Sequence, residues 1–317
     1  MKVTEHISKA KDTLFSFEIL PPKKGETIDN LFQHIDQLME FNPPFIDVTY
    51  HREEFDYREQ SNGMLKKVKT RKRPGTVGIC SAIQNRYQVD TVPHLICGGF
   101  TQEDIENILV DLDFLGIDNV LALRGDPIKS ESGFVPVPGG HRYASDLLQQ
   151  VNQLNQGKWL DDSIKDPHQT DFCIGVSGYP EKHFEAPNFE VDFQHLKKKV
   201  EMGAEFVVTQ MFFDNQAFFR FVDRCRSEGI NVPIIPGLKP ITTLRHMTVL
   251  PKTFFLDLPQ DLCDALHQCK SNADAREVGI EWCIQQCREL KEFGVPVLHF
   301  YTMSRSAAVK KVAEALF

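Results

Sequence analysis

The chain has 317 residues, of which 41% are hydrophobic and 25% charged, and its 36 basic and 44 acidic side chains leave a net charge of −8. That mix belongs to a globular chain with a large core, and it excludes a disordered chain, a collagen-like chain and a disulfide-stapled miniprotein. The acidic balance argues against broad nucleic-acid binding, and no run approaches the roughly 18 apolar residues of a membrane helix. Lys2, Glu5, Lys9, Lys11 and Asp12 make the first residues unlike a secretory apolar region. Eight scattered cysteines without a disulfide framework point to a reducing cytoplasm.

In chain order, a strand is expected at 14–19, a helix at 28–41 and strands at 45–50 and 93–97. A helix at 102–115, a strand at 119–123, a helix at 144–154 and a strand at 172–176 follow. Next come a helix at 189–202, a strand at 206–211, a helix at 215–228 and a strand at 233–236. A long helix at 273–293, a strand at 297–301 and a last helix at about 306–316 complete the order. Thr101, followed by Glu103 and Asp104, is the expected N-cap of its helix, and Gly116, Gly203, Gly229 and Gly294 fall where helices should stop. Strands alternating with helices imply parallel pairing through crossovers. Eight such units, with no glycine-rich first turn, favour a single-domain (β/α)8 TIM barrel over 1–317 rather than an open doubly wound sheet. Two stretches break the rhythm. Residues 127–141, after the fourth strand, are a candidate lid, and 155–170, before the fifth, should decorate the opposite face.

In such a barrel the polar groups at strand C-termini are the first suspects. They include Glu18, Thr49, Tyr50, His51, His94, Arg124, Gly125, Asp126, Ser177, Tyr179, Gln210, Lys239 and the segment 301–305. No nucleophile elbow and no paired metal-ligand histidines are among them, so proton transfer and recognition of a polar cofactor are better supported than acyl transfer. Glu18 lies in the apolar run FSFEILPP, where lost solvation should raise its pKa and let it carry a proton near neutrality. A structural ion pair is its plainer reading. Gly125 should let the backbone approach a planar ligand, with Arg124 and Asp126 acting on its charges. One of Lys197, Lys198 and Lys199 could reach a phosphate, although a solvated helix face is the default for such a run. Six basic residues in the eight of 66–73 read as a solvated face near a helix end. Cys263 with His267, and Cys283 with Cys287, have helical spacing that suits either zinc or a buried core, and the core reading is favoured.

Nine ordered landmarks carry a family resemblance: FSFEILPP, IDVTYH, PHLIC, LALRGDP, YASDL, GYPEKHFEA, DFQHLKKKVEMGAEFVVTQMFFD, IIPGLKP and HFYTMSR. Together, over about residues 14–316, the chain resembles the methylenetetrahydrofolate reductases. The resemblance implies a barrel holding FAD at its C-terminal face, with NADH or NADPH and folate alternating beside the flavin. It implies Glu18 as general acid and Asp126 near the flavin and the pterin. It implies FAD contacts from Thr49, Tyr50, His94, Arg124, Gly125, Asp126, Tyr143, Ala144, Tyr179, His183, Asp192, Lys198 and Lys199. Gln210 and Arg305, with Glu18 and Asp126, would meet the alternating substrates, and no metal is implied. Ile19 and Leu20 replace two phenylalanines common in the family. His195, His246 and Leu250 depart from other members, so their roles stay open. The chain is expected to end without the regulatory module of longer relatives.

The implied chemistry is a ping-pong reduction of 5,10-methylenetetrahydrofolate to 5-methyltetrahydrofolate that feeds methionine synthesis. Hydride transfer is the cofactor's work, while the protein orients and supplies charge. Opening the folate ring needs a proton on the departing nitrogen, the task given to Glu18, and an anionic Asp126 would stabilise the resulting cation. The implied partners are small molecules and further copies of the chain in a homo-oligomer. Two rivals are a zinc-dependent folate methyl-transfer barrel, carried by the Cys/His pairs, and a non-catalytic subunit of the same fold.

Overall fold

The computed structural model describes residues 1–128, 131–303 and 305–317; Lys129 and Ser130 of the candidate lid, and Ser304, lie outside the described residues. The strands in chain order are β1 (Leu14–Ile19), β2 (Phe45–Val48), β3 (Glu54–Glu59), β4 (Leu65–Thr70), β5 (Asp90–Ile96), β6 (Asn119–Leu123), β7 (Cys173–Gly178), β8 (Phe206–Thr209), β9 (Ile234–Ile235), β10 (Gly237–Leu238) and β11 (Val297–Tyr301). Nine of them form one parallel sheet in the order β10-β11-β1-β2-β5-β6-β7-β8-β9. Pro236 lacks the N–H that would carry the ladder onward, so β9 pairs with β8 and β10 with β11 across a single interrupted stave. The nine segments therefore make eight staves of a nearly closed α/β barrel, as the alternation of elements predicts.

The helices are α1 (Val3–Lys9), α2 (Ile28–Asp36), α3 (Thr76–Tyr87), α4 (Gln102–Phe114), α5 (Ala144–Asn155), α6 (Phe189–Glu201), α7 (Asn215–Ser227), α8 (His246–Phe254), α9 (Gln260–His267), α10 (Asn272–Phe293) and α11 (Ala307–Glu314). Thr101 does cap α4, accepting from the Asp104 N–H while Asp104 accepts from the Thr101 N–H.

Period-two alternation on each stave divides the core in two. Phe15, Phe17, Ile46, Val48, Val120, Ile174, Val207, Leu298 and Phe300 point outward beneath the helices and join the large outer core. Phe45, Val92, Leu121, Cys173, Phe206, Ile235 and Val297 fill the inside of the barrel. Phe206 fits because Gly175 faces it: a Cβ there would lie 2.3 Å from the Phe206 ring.

Six elements, α1, β3, β4, α3, α8 and α9, were not expected from the sequence. Helix α1 closes the N-terminal end of the barrel, with Val3 fully buried among the interior residues and its N–H donating to Asn119 Oδ1 at 2.8 Å. The basic run 66–73 is no helix end. Most of it is β4, paired antiparallel with β3 in a hairpin that follows β2. Helix α3 supplies the crossover from that hairpin to β5, and α8 and α9 precede α10. The stretch 155–170 packs below the strands, where Trp159 Nε1 donates to the His168 carbonyl and the Leu160 N–H to Glu106. No helix among the described residues is long and apolar enough to cross a membrane.

Candidate functional site

The C-terminal ends of the staves open into one cavity of about 850 Å³. It is lined by Glu18, Thr49, Tyr50, His94, Arg124, Gly125, Asp126, Tyr143, Ala144, Tyr179, His183, Asp192, Lys198, Lys199 and Gln210. Lys197, Lys239 and Arg305, also singled out in the sequence, are absent from the lining; Arg305 is exposed, though its charge reaches Lys239 and His246.

The floor is built where β1, β2 and β5 end side by side. Glu18 faces inward because Phe17 and Ile19 take the outward positions. Its Oε1 accepts from Thr49 Oγ1 at 2.6 Å, and its Oε2 lies 3.7 Å from His94 Nε2. Burial opposes a charge on His94, but Asp47 and Glu18 outweigh it and raise the imidazole above its ordinary value. Lys239 is also buried, and burial, reinforced by Arg305 and opposed by Glu18, lowers its ammonium to about 8.

The strand-to-loop turn after β6 forms one wall. Gly125 has φ +82°, and a Cβ there would meet Ile96 at 3.1 Å, so the turn needs glycine for conformation as well as for its close packing on Ile96. Arg124 is paired with Glu185 and lies 5.1 Å over the Phe134 ring. Asp126 is exposed to the cavity, and its charge is felt by His51 and Tyr179. From the cavity lining, Arg52 forks onto both oxygens of Glu131, in the loop after β6, at 3.1 Å.

Opposite stand β7 and α6. Lys199 Nζ donates to the Ser177 carbonyl at 2.7 Å, and burial, offset in part by Asp192, lowers its ammonium to about 8. Asp192 accepts from the His183 N–H at 3.0 Å, and the Tyr179 and His183 rings meet edge-on at 4.8 Å. Burial raises the Tyr179 phenol to about 12. Lys198, by contrast, is exposed. Tyr143 caps α5, its N–H donating to Asp146 at 3.0 Å, and Gln210 is anchored through its N–H to the Gly178 carbonyl at 2.9 Å.

The lining also holds Arg52, Glu185 and Phe254, for which no role was expected, together with His195 and Met303. His195 offered a signal, three residues after Asp192 on the same helix face. His246, half-buried, accepts from the Thr242 N–H, and burial with Lys239 and Arg305 lowers it to about 4; Leu250 is buried in a satellite cluster. Cys283 and Cys287 are free and buried in the outer core, and among the described residues no three His, Cys, Asp or Glu side chains converge as metal ligands.

The cavity suits a large polar cofactor such as FAD in size and in chemistry. Lys199 is a desolvated amine whose charge an added pyrophosphate would stabilise.

Comparison with known proteins adds the following. The family model described as methylenetetrahydrofolate reductase matches residues 2–317. The chain is 35% identical to methylenetetrahydrofolate reductase 1 of Schizosaccharomyces pombe, over 100% of this chain and 48% of that one. It is 34% identical to methylenetetrahydrofolate reductase (NADH) 1 of Arabidopsis thaliana, over 96% of this chain and 49% of that one. Against the 5,10-methylenetetrahydrofolate reductase of Escherichia coli it is 31% identical, over 92% and 86%. The chain thus spans about half the length of the first two relatives and most of the third. A solved structure of an uncharacterized protein from Clostridium thermocellum, described as binding two copies of 5-methyl-5,6,7,8-tetrahydrofolic acid, superposes with a TM-score of 0.60 at 14% identity, covering 98% of this chain and 96% of that one. That likeness speaks to the fold alone.

Proposed function

The chain belongs to the methylenetetrahydrofolate reductase family, and from that premise we propose that residues 1–317 act as one catalytic barrel reducing 5,10-methylenetetrahydrofolate to 5-methyltetrahydrofolate with NADH or NADPH. The observation that carries this reading is the gathering of Glu18, Asp126, Gln210 and the cofactor-binding candidates around a single cavity. FAD held there supplies a hydride carrier between the nicotinamide and the folate carbon. Lys199, with Lys198 at the rim, would hold its pyrophosphate, while His94, Arg124, Tyr179 and His183 would hold the rest. The product would feed methionine synthesis.

The chain's own part is proton supply and charge. Glu18 sits at the floor with one oxygen fixed by Thr49 and the other directed at His94, so its orientation is set before any ligand arrives. It would deliver the proton to the departing folate nitrogen. Asp126, across the cavity, would stabilise positive charge developing on the folate. Gln210 would orient the substrates in turn.

The absorbance spectrum of the purified protein tests this reading. Flavin absorbance that bleaches under anaerobic NADH or NADPH, and returns on addition of 5,10-methylenetetrahydrofolate, is expected. A colourless protein that does not take up FAD would overturn it.

A further inference from the structure

Asp47 is 1% exposed inside the barrel, and neither of its oxygens accepts a hydrogen bond. A carboxylate so placed is costly unless a cation answers it. The parallel register sets Asp47 of β2 directly beside Glu18 of β1, and both point inward. His94 arrives from β5, the next stave. Its Nε2 lies 3.4 Å from Asp47 Oδ2 and 3.7 Å from Glu18 Oε2, and forms a hydrogen bond with neither. One N–H thus stands between two carboxylates, and a small turn of the ring decides which receives it.

We propose that Asp47 is a positioning residue for the proton chemistry: its buried carboxylate holds the His94 ring as a proton-bearing bridge, from which Glu18 is recharged after it has protonated substrate. The proposal rests on the reading of Glu18 as the acid. In the step, the His94 Nε2–H bond breaks and a Glu18 O–H bond forms. The imidazolium becomes neutral imidazole, Asp47 stays ionised, and the net charge of the three groups is unchanged. His94 lines the open cavity, so water there returns its proton. The other titratable groups facing this cluster are His51 and His299, which feel the charge on His94, Tyr301, which feels Glu18 and Asp47, Cys80, which feels Asp47, and Lys239, which faces Glu18. The two carboxylates prevail over them at His94.

The test uses the full chain with ¹³C-labelled histidine, titrated by NMR, beside steady-state folate reduction across pH. In the parent, His94 should titrate above an ordinary histidine. Asp47→Asn should lower its proton affinity at least about tenfold. Turnover with folate should then fall by a similar factor in mildly alkaline buffer and recover on acidification. A His94 that titrates at or below an ordinary histidine in the parent, an unmoved titration in Asp47→Asn, or an unshifted pH profile would each overturn the proposal. The parent titration alone decides if Asp47→Asn fails to fold. Glu18→Gln separates the two readings: if folate turnover survives in it, Glu18 is not the acid, while the His94 titrations still report whether Asp47 holds that ring.

Discussion

At the scale of single residues, the chemistry of the cavity depends on where charge stands around it. Lys199→Ala removes an amine that burial has already destabilised, so the fold should survive, while FAD affinity should drop by about 1.5–3 kcal/mol, the range of a lost charge-assisted contact. Titration of the apoprotein with FAD checks this, and equal affinity in variant and parent would remove Lys199 from the cofactor site. Asp126→Asn deletes a negative charge beside the proposed flavin. Reduction adds negative charge, so the reduction potential should rise and donation to folate should slow; a potential that falls or stays put contradicts that placement. Most of these positions were legible because strand-end polar residues are few and fall in recognisable order. Asp47 was not. Within IDVTYH it looks like any polar residue in a strand, and only the register that sets it beside Glu18 gives it a partner. The Arg52–Glu131 fork was equally hidden, since nothing local joins residues from two different loops.

Among the elements, the turn after β6 and the loop after β7 carry the sharpest expectations. Gly125→Ala forces a side chain into a left-handed conformation and against Ile96, which should cost about 1–2 kcal/mol or more in chemical denaturation. In the loop after β7, Glu181 accepts from the Asp257 N–H, and burial, aided by the Asp257 and Asp214 charges, raises its carboxyl to about 7 against an ordinary 4.5. Between those values the folded chain binds a proton that the unfolded chain has lost, so this group makes stability fall as pH rises through that window. Glu181→Gln removes that slope: the difference in melting temperature between variant and parent should grow in the variant's favour from pH 4.5 to 7. A difference constant across the window would show that Glu181 does not titrate so. The elements missed in the sequence were missed for separate reasons. The β3–β4 hairpin had its signal in Asn62–Gly63, a turn pair with Gly63 at φ +77°, but six basic residues masked the alternation. Helix α3 opens on Thr76, Val77 and Gly78, weak helix formers, and is held by packing against β5 rather than by its own propensity.

For the molecule as a whole, the barrel has one plugged end and one open end. Helix α1 seals the first, and Val3→Ala should therefore cost about 2 kcal/mol of stability in equilibrium unfolding while leaving cofactor affinity unchanged; a loss of FAD binding at parental stability would contradict this division. The sequence conveyed the eight staves well because each alternates with a helix, yet it could not show that Pro236 splits one of them or that a helix closes the bottom. Both depend on contacts between segments far apart in the chain. The open end is where function is assigned, and the claim at its centre is that Glu18 gives a proton to folate and has no such duty toward the nicotinamide. Glu18→Gln keeps the shape and removes the exchangeable acid. Two anaerobic single-turnover traces on the FAD-loaded protein decide the matter: the flavin absorbance should bleach with NADH or NADPH within a small factor of the parent rate, and its return with 5,10-methylenetetrahydrofolate should slow by at least about a hundredfold. Return at nearly the parent rate, or failure of both traces together, would contradict the account.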